Sequence, residues 1–389
     1  MDFSLSDEQR ALQTTVREFL ADKFPLAAVR GVYDDDDSDG DPAELWKSIG
    51  EQGWLAVLIP EEYDGLGLGL LDAAVLARCW GEGCAPGPFL PTLIAAEAIR
   101  LGGSPELQKE WLPRVAAGEA KLAFASGGRV TATDGKLTGS VDHVDYAHVA
   151  DAIVVAVDGG SLWLVEPDSN LTVTAHETLD RSGRLCTVQL NGTPGVQLPG
   201  SVLPEILDRA AVLTANDLAG IARVALTRTV DYDKTREQFG KPVGSFQAIK
   251  HTLADLHVAV TMTEHAGWYA AHAIDAQLPD AALAVSVAKA KASDAARETT
   301  AAMIQFHGGI GYTWEHDAHL FFKRAKRLEY AYGDAAAAAT SAMIQFHGGI
   351  GFTWEHDAHF YLKRAKRLEY AYGDASAHRE RIAALTIDA

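Results

Sequence analysis

The order of helical and β-type patterns is the feature that most constrains the fold of this chain. Apolar residues recur at helical spacing up to about residue 118, short β-rich runs fill residues 121–200, and helical patterns resume near residue 203. This order predicts an α+β protein. It has an N-terminal helical domain (1–118), a middle antiparallel β-domain (119–202) and a C-terminal helical bundle (203–389).

The individual elements follow from the same patterns. Helices are predicted at 5–30, 43–52, 70–82, 91–118, 216–235 and, in an alanine-rich stretch, 282–305. Strands are predicted at Lys121–Phe124, Ala152–Val157, Leu162–Val165, Leu171–Ala175 and Val188–Leu190. The glycines and the proline of residues 58–69 predict an irregular loop.

A tandem repeat lies within the C-terminal domain. Residues 302–335 recur at 342–375, and 30 of the 34 positions are identical. Two copies of a 40-residue unit do not build a solenoid, which needs at least three. We interpret the repeat as a recent duplication or an error in sequence assembly rather than as a functional array.

Composition excludes several classes of partner. The net charge of −19 disfavours nucleic acid and anionic membranes, because both repel a polyanion. The three cysteines are sparse and unpatterned, which predicts neither a disulfide framework nor a metal site. The first residues show no signal peptide pattern. We therefore expect a soluble, cytoplasmic protein without a bound metal.

The first segment with chemical content is Arg236–His251. Gly240 and Pro242 end one helix, and a new helix is predicted to start near Ser245. A guanidinium, an amide side chain and free backbone N–H groups then meet at a helix junction, which suits a pyrophosphate. A capped turn with surface charges is an equally open interpretation of this segment alone.

The second segment is Gln305–Tyr312, which ends the alanine-rich helix. Its glycines, Gly308, Gly309 and Gly311, allow positive φ angles and close approach of the backbone to a ligand. A plain C-cap turn remains the structural alternative.

Together these segments resemble the acyl-CoA dehydrogenase family, in particular its actinobacterial-type members. The resemblance rests on three motifs. They are R-x-Q-F-G-K-P with a following F-Q, Q-x-H-G-G-x-G-x-T-W-E-H, and the Pro60–Gly67 loop. The resemblance covers the whole chain apart from one repeat copy. It implies FAD as cofactor, an acyl-CoA substrate, a homo- or hetero-tetramer and reoxidation by electron-transfer flavoprotein.

The resemblance also implies site residues. FAD-contacting positions of the family fall on Arg236, Gln238, Phe239, Gln247, Gln305, Gly308 and Gly309. Lys241 to Gly308 spans 67 residues, close to the family separation, whereas Lys241 to Gly348 spans 107. The first repeat copy is therefore expected to hold the FAD loop. A register in which the second copy (Gln345, Gly348, Gly349) docks instead stays open.

The catalytic base does not follow the family pattern. Tyr332 and, in the second copy, Tyr372 occupy the usual glutamate position, and tyrosine is a poor base at neutral pH. Asp208 is the one carboxylate close to the alternative family position, and Glu329 and Glu369 have no family support. The base is left unassigned, with Asp208 as a weak candidate.

The β-domain departs from the family as well. Phe124–Gly128 replaces a T-E-P-like strand, and His143–Asp145 replaces W-x-T. The flavin-ring contacts look degenerate while the contacts to a neighbour's ADP look intact. This asymmetry favours an acyl-CoA dehydrogenase subunit of a hetero-oligomer. A catalytically silent FAD- or acyl-CoA-clamping partner and a flavin oxidase or monooxygenase are the alternatives.

Two further clusters have ordinary structural interpretations. His316 and His319 resemble metal ligands, but the family uses this stretch as helix sequence, and we expect both on one helix face. The basic run Lys323–Arg327 is interrupted by alanine and is expected to form a helix face rather than a nucleic-acid site.

Overall fold

A computed structural model describes residues 4–332 of the chain. The second repeat copy, with Gln345, Gly348, Gly349, Glu369 and Tyr372, lies outside these residues. Within residues 4–332, contacts divide the chain into two compact units, one of residues 4–21, 74–84 and 211–332, the other of residues 22–73 and 85–210. The three-domain division stays a prediction.

The N-terminal part of the chain is helical, as predicted. Its helices are α1 (Asp7–Lys23), α2 (Leu26–Asp34), α3 (Ala43–Glu51), α4 (Leu70–Gly83), α5 (Phe89–Gly102) and α6 (Pro105–Ala116). Each of the helices predicted at 5–30 and 91–118 is divided into two helices in the structure. Pro25 precedes α2, and Ser104 caps α6 by accepting a hydrogen bond from the Leu107 backbone N–H at 3.4 Å.

The segment 58–69 is irregular apart from a single 3₁₀ turn, Glu61–Tyr63. Backbone hydrogen bonds nevertheless fix it, such as Gly67 N–H to Ile59 O at 2.8 Å and Leu68 N–H to Val57 O at 2.9 Å. A Cβ at Gly65 would lie 1.9 Å from the Ile59 carbonyl oxygen. Only glycine therefore fits this position.

The middle of the chain forms two four-stranded sheets. The strands are β1 (Leu122–Ala125), β2 (Arg129–Thr133), β3 (Lys136–Asp145), β4 (Ala152–Ala156), β5 (Leu162–Val165), β6 (Leu171–His176), β7 (Leu185–Pro194) and β8 (Val196–Gln197). The sheet orders are β1-β4-β5-β8 and β2-β3-β7-β6. The pairings are antiparallel as predicted, except that β1 pairs with β4 in parallel.

Alternating side chains of both sheets share one core. Val130, Val141 and Val188 of one sheet pack with Ile153 and Val165 of the other. Strands β2 and β3 were absent from the sequence prediction, because their apolar residues are few. Their signal was Asp134-Gly135, a two-residue loop whose φ angles of 50° and 75° are those of a tight hairpin.

The C-terminal part is again helical, with α7 (Leu203–Thr235), α8 (Gln247–Asp275), α9 (Ala281–Phe306) and α10 (Ala318–Tyr330). Between α7 and α8 lies a short hairpin of β9 (Glu237–Gln238) and β10 (Lys241–Pro242). The α+β fold class is thus confirmed.

One helix among the described residues is long and apolar enough to cross a membrane. It is α7, and 83% of its most apolar window is buried within the protein. A core helix has the same properties, so α7 carries no argument for a membrane.

Candidate functional site

The segment Arg236–Gly244 is a tight hairpin, which differs from the predicted helix–helix junction. Helix α7 ends at Thr235, and Phe239 and Gly240 form the two-residue loop with φ angles of 54° and 75°. A non-glycine aromatic residue at positive φ is rare. The hairpin closes back on the helix end, because Val243 N–H donates to Arg236 O at 2.8 Å.

The polar side chains predicted to hold FAD lie exposed around this hairpin. Arg236, Gln238 and Gln247 are all solvent-exposed. Within the described chain, the Arg236 guanidinium makes no ion pair or side-chain hydrogen bond. Helix α8 begins directly after Phe246, and no side chain of the described residues caps its N-terminus. Its first backbone N–H groups, which have no intrahelical acceptor, are therefore available to an anion.

An aromatic surface accompanies these donors. The Phe239 ring is 92% exposed and meets Phe246 edge-to-face, with ring centroids 6.3 Å apart. Lys241 Nζ lies 4.3 Å from the centroid of the Phe246 ring. The exposed Phe239 ring and the cations Arg236 and Lys241 thus border the uncapped N-terminus of α8.

The glycine segment forms a 3₁₀ turn, Gly308–Tyr312, at the end of α9. Of its glycines, only Gly308 has a positive φ, at 64°. Gly311 is required for another reason, since a Cβ there would lie 2.4 Å from the Ile304 carbonyl oxygen. Gln305, Gly308 and Gly309 are exposed, and no atom of the described chain lies within 4 Å of a Cβ built on either exposed glycine.

A contact missed at the sequence level joins the two segments. The Tyr232 ring stacks on His307 with centroids 4.2 Å apart, and the Tyr232 hydroxyl donates to the His307 carbonyl oxygen at 3.4 Å. Tyr232 lies one helical turn before Arg236, and His307 lies between Gln305 and Gly308. The structure therefore brings both predicted segments to one surface.

His307 is held in place from within its own helix and by its neighbours. Its Nδ1 lies 2.7 Å from the Met303 carbonyl oxygen, and its ring is 4.4 Å from that of His316. Burial, aided by the nearby Arg228 guanidinium, lowers the pKa of the His307 imidazole. Burial thus favours the neutral form of the imidazole that stacks with Tyr232.

The two histidines of the W-E-H-D-x-H stretch serve local structure. The expectation that both lie on one helix face was wrong for His316, because α10 begins only at Ala318. His316 Nδ1 accepts the Ala318 N–H at 3.1 Å, and His319 Nε2 lies 3.0 Å from the Trp314 carbonyl oxygen. Residues 4–332 contain no cluster of three or more metal-ligating side chains.

The basic run Lys323–Arg327 lies within α10, which confirms it as a helix segment. Two of its cations are buried. Arg324 is 3% exposed and pairs with fully buried Asp217 at 2.7 Å, while Lys323 Nζ lies over the Trp314 ring at 4.4 Å. The charges of Arg324 and Lys323 are therefore engaged in contacts within the protein.

A buried carboxyl beside the hairpin was not foreseen. Asp233 is 1% exposed, and neither of its carboxylate oxygens has a hydrogen-bond partner within residues 4–332. It packs against the hairpin side, where a Cβ built on Gly244 would lie 3.3 Å from the Asp233 Cβ. Burial raises the pKa of the Asp233 carboxyl to about 6.

The residues considered as catalytic base lie in different surroundings. Tyr332 follows α10, is partly buried and has a φ of 53°. Asp208 lies partly buried near the start of α7. Glu329 is buried and bound by Arg297 and Lys326, each at 3.0 Å, so two cations hold it as a structural carboxylate. The geometry assigns none of them as the base.

The two β-sheet segments that depart from the family pattern have local structural roles. After β1 the chain bends at Gly127 and Gly128, and a Cβ at Gly128 would lie 2.4 Å from Ser140 O. His143 is exposed at an irregularity of β3 and has a φ of 62°. The stretch His143–Asp145 therefore serves the strand geometry and carries neither the tryptophan nor the threonine of the family's W-x-T.

Nucleophilic cysteine chemistry finds no support. Cys186 Sγ lies 3.4 Å from His148 Nδ1, but the thiol is fully buried and its pKa is raised to about 11, chiefly by burial. Burial likewise raises the pKa of Cys79 to about 12. Both thiols therefore stay protonated at neutral pH.

The arrangement of donors fits the adenosine diphosphate part of FAD. Arg236 supplies an exposed guanidinium, α8 supplies free N–H groups, and the exposed Gly308–Gly309 backbone permits close approach. None of the described residues on this surface supplies a base.

Comparisons with known proteins agree with this geometry. Residues 6–119 match the model of the acyl-CoA dehydrogenase N-terminal domain, and residues 201–335 match that of the C-terminal domain. The acyl-CoA dehydrogenase IpdE2 of Mycobacterium tuberculosis is 36% identical over 82% of this chain and 91% of its own length. FadE27 of the same organism is 32% identical over 75% and 84%.

Two solved structures extend the likeness to the fold. A variant of the Tcur3481-Tcur3483 steroid ACAD has a TM-score of 0.79 and 27% identity, covering 99% of both chains. The ChsE4-ChsE5 complex from Mycobacterium tuberculosis has the same TM-score and identity, covering 91% of this chain and 100% of the other. Family models, relatives and fold agree, and the chain belongs to the acyl-CoA dehydrogenase family of flavoproteins.

Proposed function

We propose that this chain takes part in the FAD-dependent α,β-dehydrogenation of an acyl-CoA thioester as one subunit of a hetero-oligomer. The observation that carries the proposal is the exposed Arg236, without an ion-pair partner in residues 4–332, beside the uncapped start of α8. A cation and free N–H groups that face solvent are the donors a diphosphate needs. On this account the diphosphate belongs to FAD seated on a neighbouring subunit.

Each residue of the surface has a defined task. Arg236 binds the diphosphate through charge-assisted hydrogen bonds, and Gln238 and Gln247 supply amide donors and acceptors. Phe239 offers an apolar plane, and the Gly308–Gly309 backbone lies against the adenosine. FAD itself supplies the hydride acceptor for the β-hydrogen. This chain's contribution is to bind and orient that group.

The base is proposed to come from the partner subunit. Tyr332 stands where the family has glutamate, and its buried neighbour Glu329 is neutralised by two cations. The likeness to the ChsE4-ChsE5 complex and to the Tcur3481-Tcur3483 steroid ACAD supports a heteromer. The steroid ACAD among these structures supports a bulky acyl group. We further propose that the reaction takes place in the cytoplasm, with electron-transfer flavoprotein as the electron acceptor.

The test begins with the chain purified alone. We expect it to lack stoichiometric flavin, measured by its visible absorbance, and to show no acyl-CoA-dependent dye reduction. A homo-oligomer with one FAD per chain and full turnover would contradict the heteromer. The control is the same preparation mixed with a homologous subunit that carries a glutamate at the family position, and this mixture is expected to be active.

Two alternatives predict other results. A silent partner that binds acyl-CoA but holds no FAD would leave the flavin content unchanged when this chain is omitted from the active complex. An oxidase or monooxygenase would consume oxygen in a substrate-dependent manner without electron-transfer flavoprotein. The proposed function predicts neither of these results.

A further inference from the structure

The buried carboxyl of Asp233 lies next to the guanidinium that the proposed function assigns to the diphosphate. The helical hydrogen bonds of α7 continue past Asp233, because Arg236 N–H donates to Tyr232 O at 2.8 Å. Asp233 and Arg236 are therefore three residues apart on one helix face, where Cβ atoms lie about 5–6 Å from each other. One of the two side chains is buried and the other is exposed.

The loop that leads into α8 packs against the same residue. A Cβ built on Gly244 would lie 3.0 Å from the Asp233 carbonyl oxygen and 3.3 Å from the Asp233 Cβ. Gly244 lies just before α8, which begins at Gln247 and whose first N–H groups are the other donors of the proposed diphosphate site. Asp233 is therefore in contact with the segment that joins both sets of donors.

No charged group of the described residues fixes the ionisation state of this carboxyl. Neither of its oxygens has a hydrogen-bond partner within residues 4–332. The charged or titratable side chains on the adjoining turns of α7, the hairpin and the first turns of α8 are all exposed to solvent, and they are Asp231, Lys234, Arg236, Glu237, Lys241, Lys250 and His251. Burial alone raises the pKa of Asp233 to about 6. The carboxyl can therefore change its charge near neutral pH.

A charge at this position acts on any anion that Arg236 holds. Each phosphate of the FAD diester carries a negative charge that does not titrate near neutral pH. A neutral Asp233 leaves the attraction of Arg236 and of the α8 N-terminus undiminished, whereas an ionised Asp233 opposes it. For one pair of unit charges about 10 Å apart, at an effective dielectric constant of about 20, this repulsion changes a binding constant by about tenfold.

We propose that Asp233 regulates the diphosphate-binding surface through its own charge, so that the surface binds FAD tightly while the carboxyl is neutral and weakly once it is ionised. This inference rests on the proposed function, because it assumes a diphosphate at Arg236. Linkage requires the reverse effect as well. Bound FAD favours the neutral carboxyl, so the protein takes up protons when it binds FAD at a pH where free Asp233 is ionised.

Titration of FAD into the flavin-free hetero-oligomer of this chain with a homologous subunit, followed by flavin fluorescence, measures the affinity. Asp233→Asn is expected to bind FAD like the wild type near about pH 5 and about tenfold more tightly near about pH 8. The comparison cancels the titration of His251 and His307, which both proteins retain. Asp231→Asn, with a 67% exposed side chain on the same helix, is the matched control and is expected to keep the wild-type profile.

Calorimetric titration near neutral pH, in buffers of different ionisation enthalpy, counts the protons taken up with FAD. The wild type is expected to take up more protons per FAD than Asp233→Asn. Equal uptake, or an affinity ratio that does not change with pH, would overturn the proposal while a loss of FAD affinity in Arg236→Ala still supported the proposed function. Weaker FAD binding or lost assembly in Asp233→Asn would also overturn it, because the carboxylate would then hold a cation of the partner subunit. Unchanged affinity in Arg236→Ala at every pH would overturn both.

Discussion

The unpartnered carboxyl of Asp233 leads to a quantitative prediction. Burial raises its pKa from the ordinary value of 3.8 to about 6. At about 1.4 kcal/mol for each pH unit, that difference corresponds to about 3 kcal/mol of lost folding free energy once the group is ionised. The substitution Asp233→Asn keeps the shape and removes the charge, so it should stabilise the protein at neutral pH.

The sign of the pH dependence follows from the raised pKa. Below the unfolded value of 3.8 the carboxyl is neutral in both states and carries no charge penalty. As the pH rises through about 6 the folded state must hold a buried charge, and stability relative to the variant falls. The advantage of Asp233→Asn should therefore be largest above about pH 7 and small near about pH 4.

Urea unfolding followed by tryptophan fluorescence, repeated between about pH 4.5 and about pH 8, measures this difference. Asp231→Asn is the matched control, because Asp231 lies two residues away on the same helix with a 67% exposed side chain. Its effect should stay within about 0.5 kcal/mol. An Asp233→Asn advantage that does not change with pH, or no advantage at the alkaline end of this range, would refute the reasoning.

Further predictions concern packing. Arg324→Met should destabilise the protein by about 3–5 kcal/mol in urea unfolding, because it strands the fully buried Asp217 carboxylate, and adding Asp217→Asn should recover part of the loss. Equal stability of the single and double variants would contradict this. Gly65→Ala should lower the thermal midpoint more than Gly67→Ala, since only the former forces a Cβ against a carbonyl oxygen, at 1.9 Å. The reverse order would show that the loop adapts.

Residue patterns were sufficient for most elements of the fold. The α9 helix was predicted at 282–305 and runs from Ala281 to Phe306, because alanine has the highest intrinsic helix propensity. Strand β5 was predicted with its observed bounds. Strands β2 and β3 were missed since only Val130, Leu137, Val141 and Val144 point inward among polar residues.

The candidate site was predicted in its residues but not in its geometry. The hairpin at Phe239-Gly240 lacks the usual Asn-Gly or Asp-Gly signal, and a phenylalanine at positive φ is not expected from propensity. The Tyr232–His307 stack joins residues 75 positions apart, so no local pattern contains it. In the sequence Asp233 is one more acidic residue of α7, and its burial arises from tertiary packing, which includes the approach of Gly244 from the following loop.

Flavin retention by the assembled hetero-oligomer tests the central claim most directly. This chain is co-purified with a homologous subunit, and FAD per complex is measured by absorbance for wild type, Arg236→Ala and the exposed-site control Lys234→Ala. We expect Arg236→Ala in this chain to lose most of the FAD, while Lys234→Ala and the subunit ratio stay unchanged. Full FAD content in the Arg236→Ala complex would contradict the claim that this surface holds the cofactor.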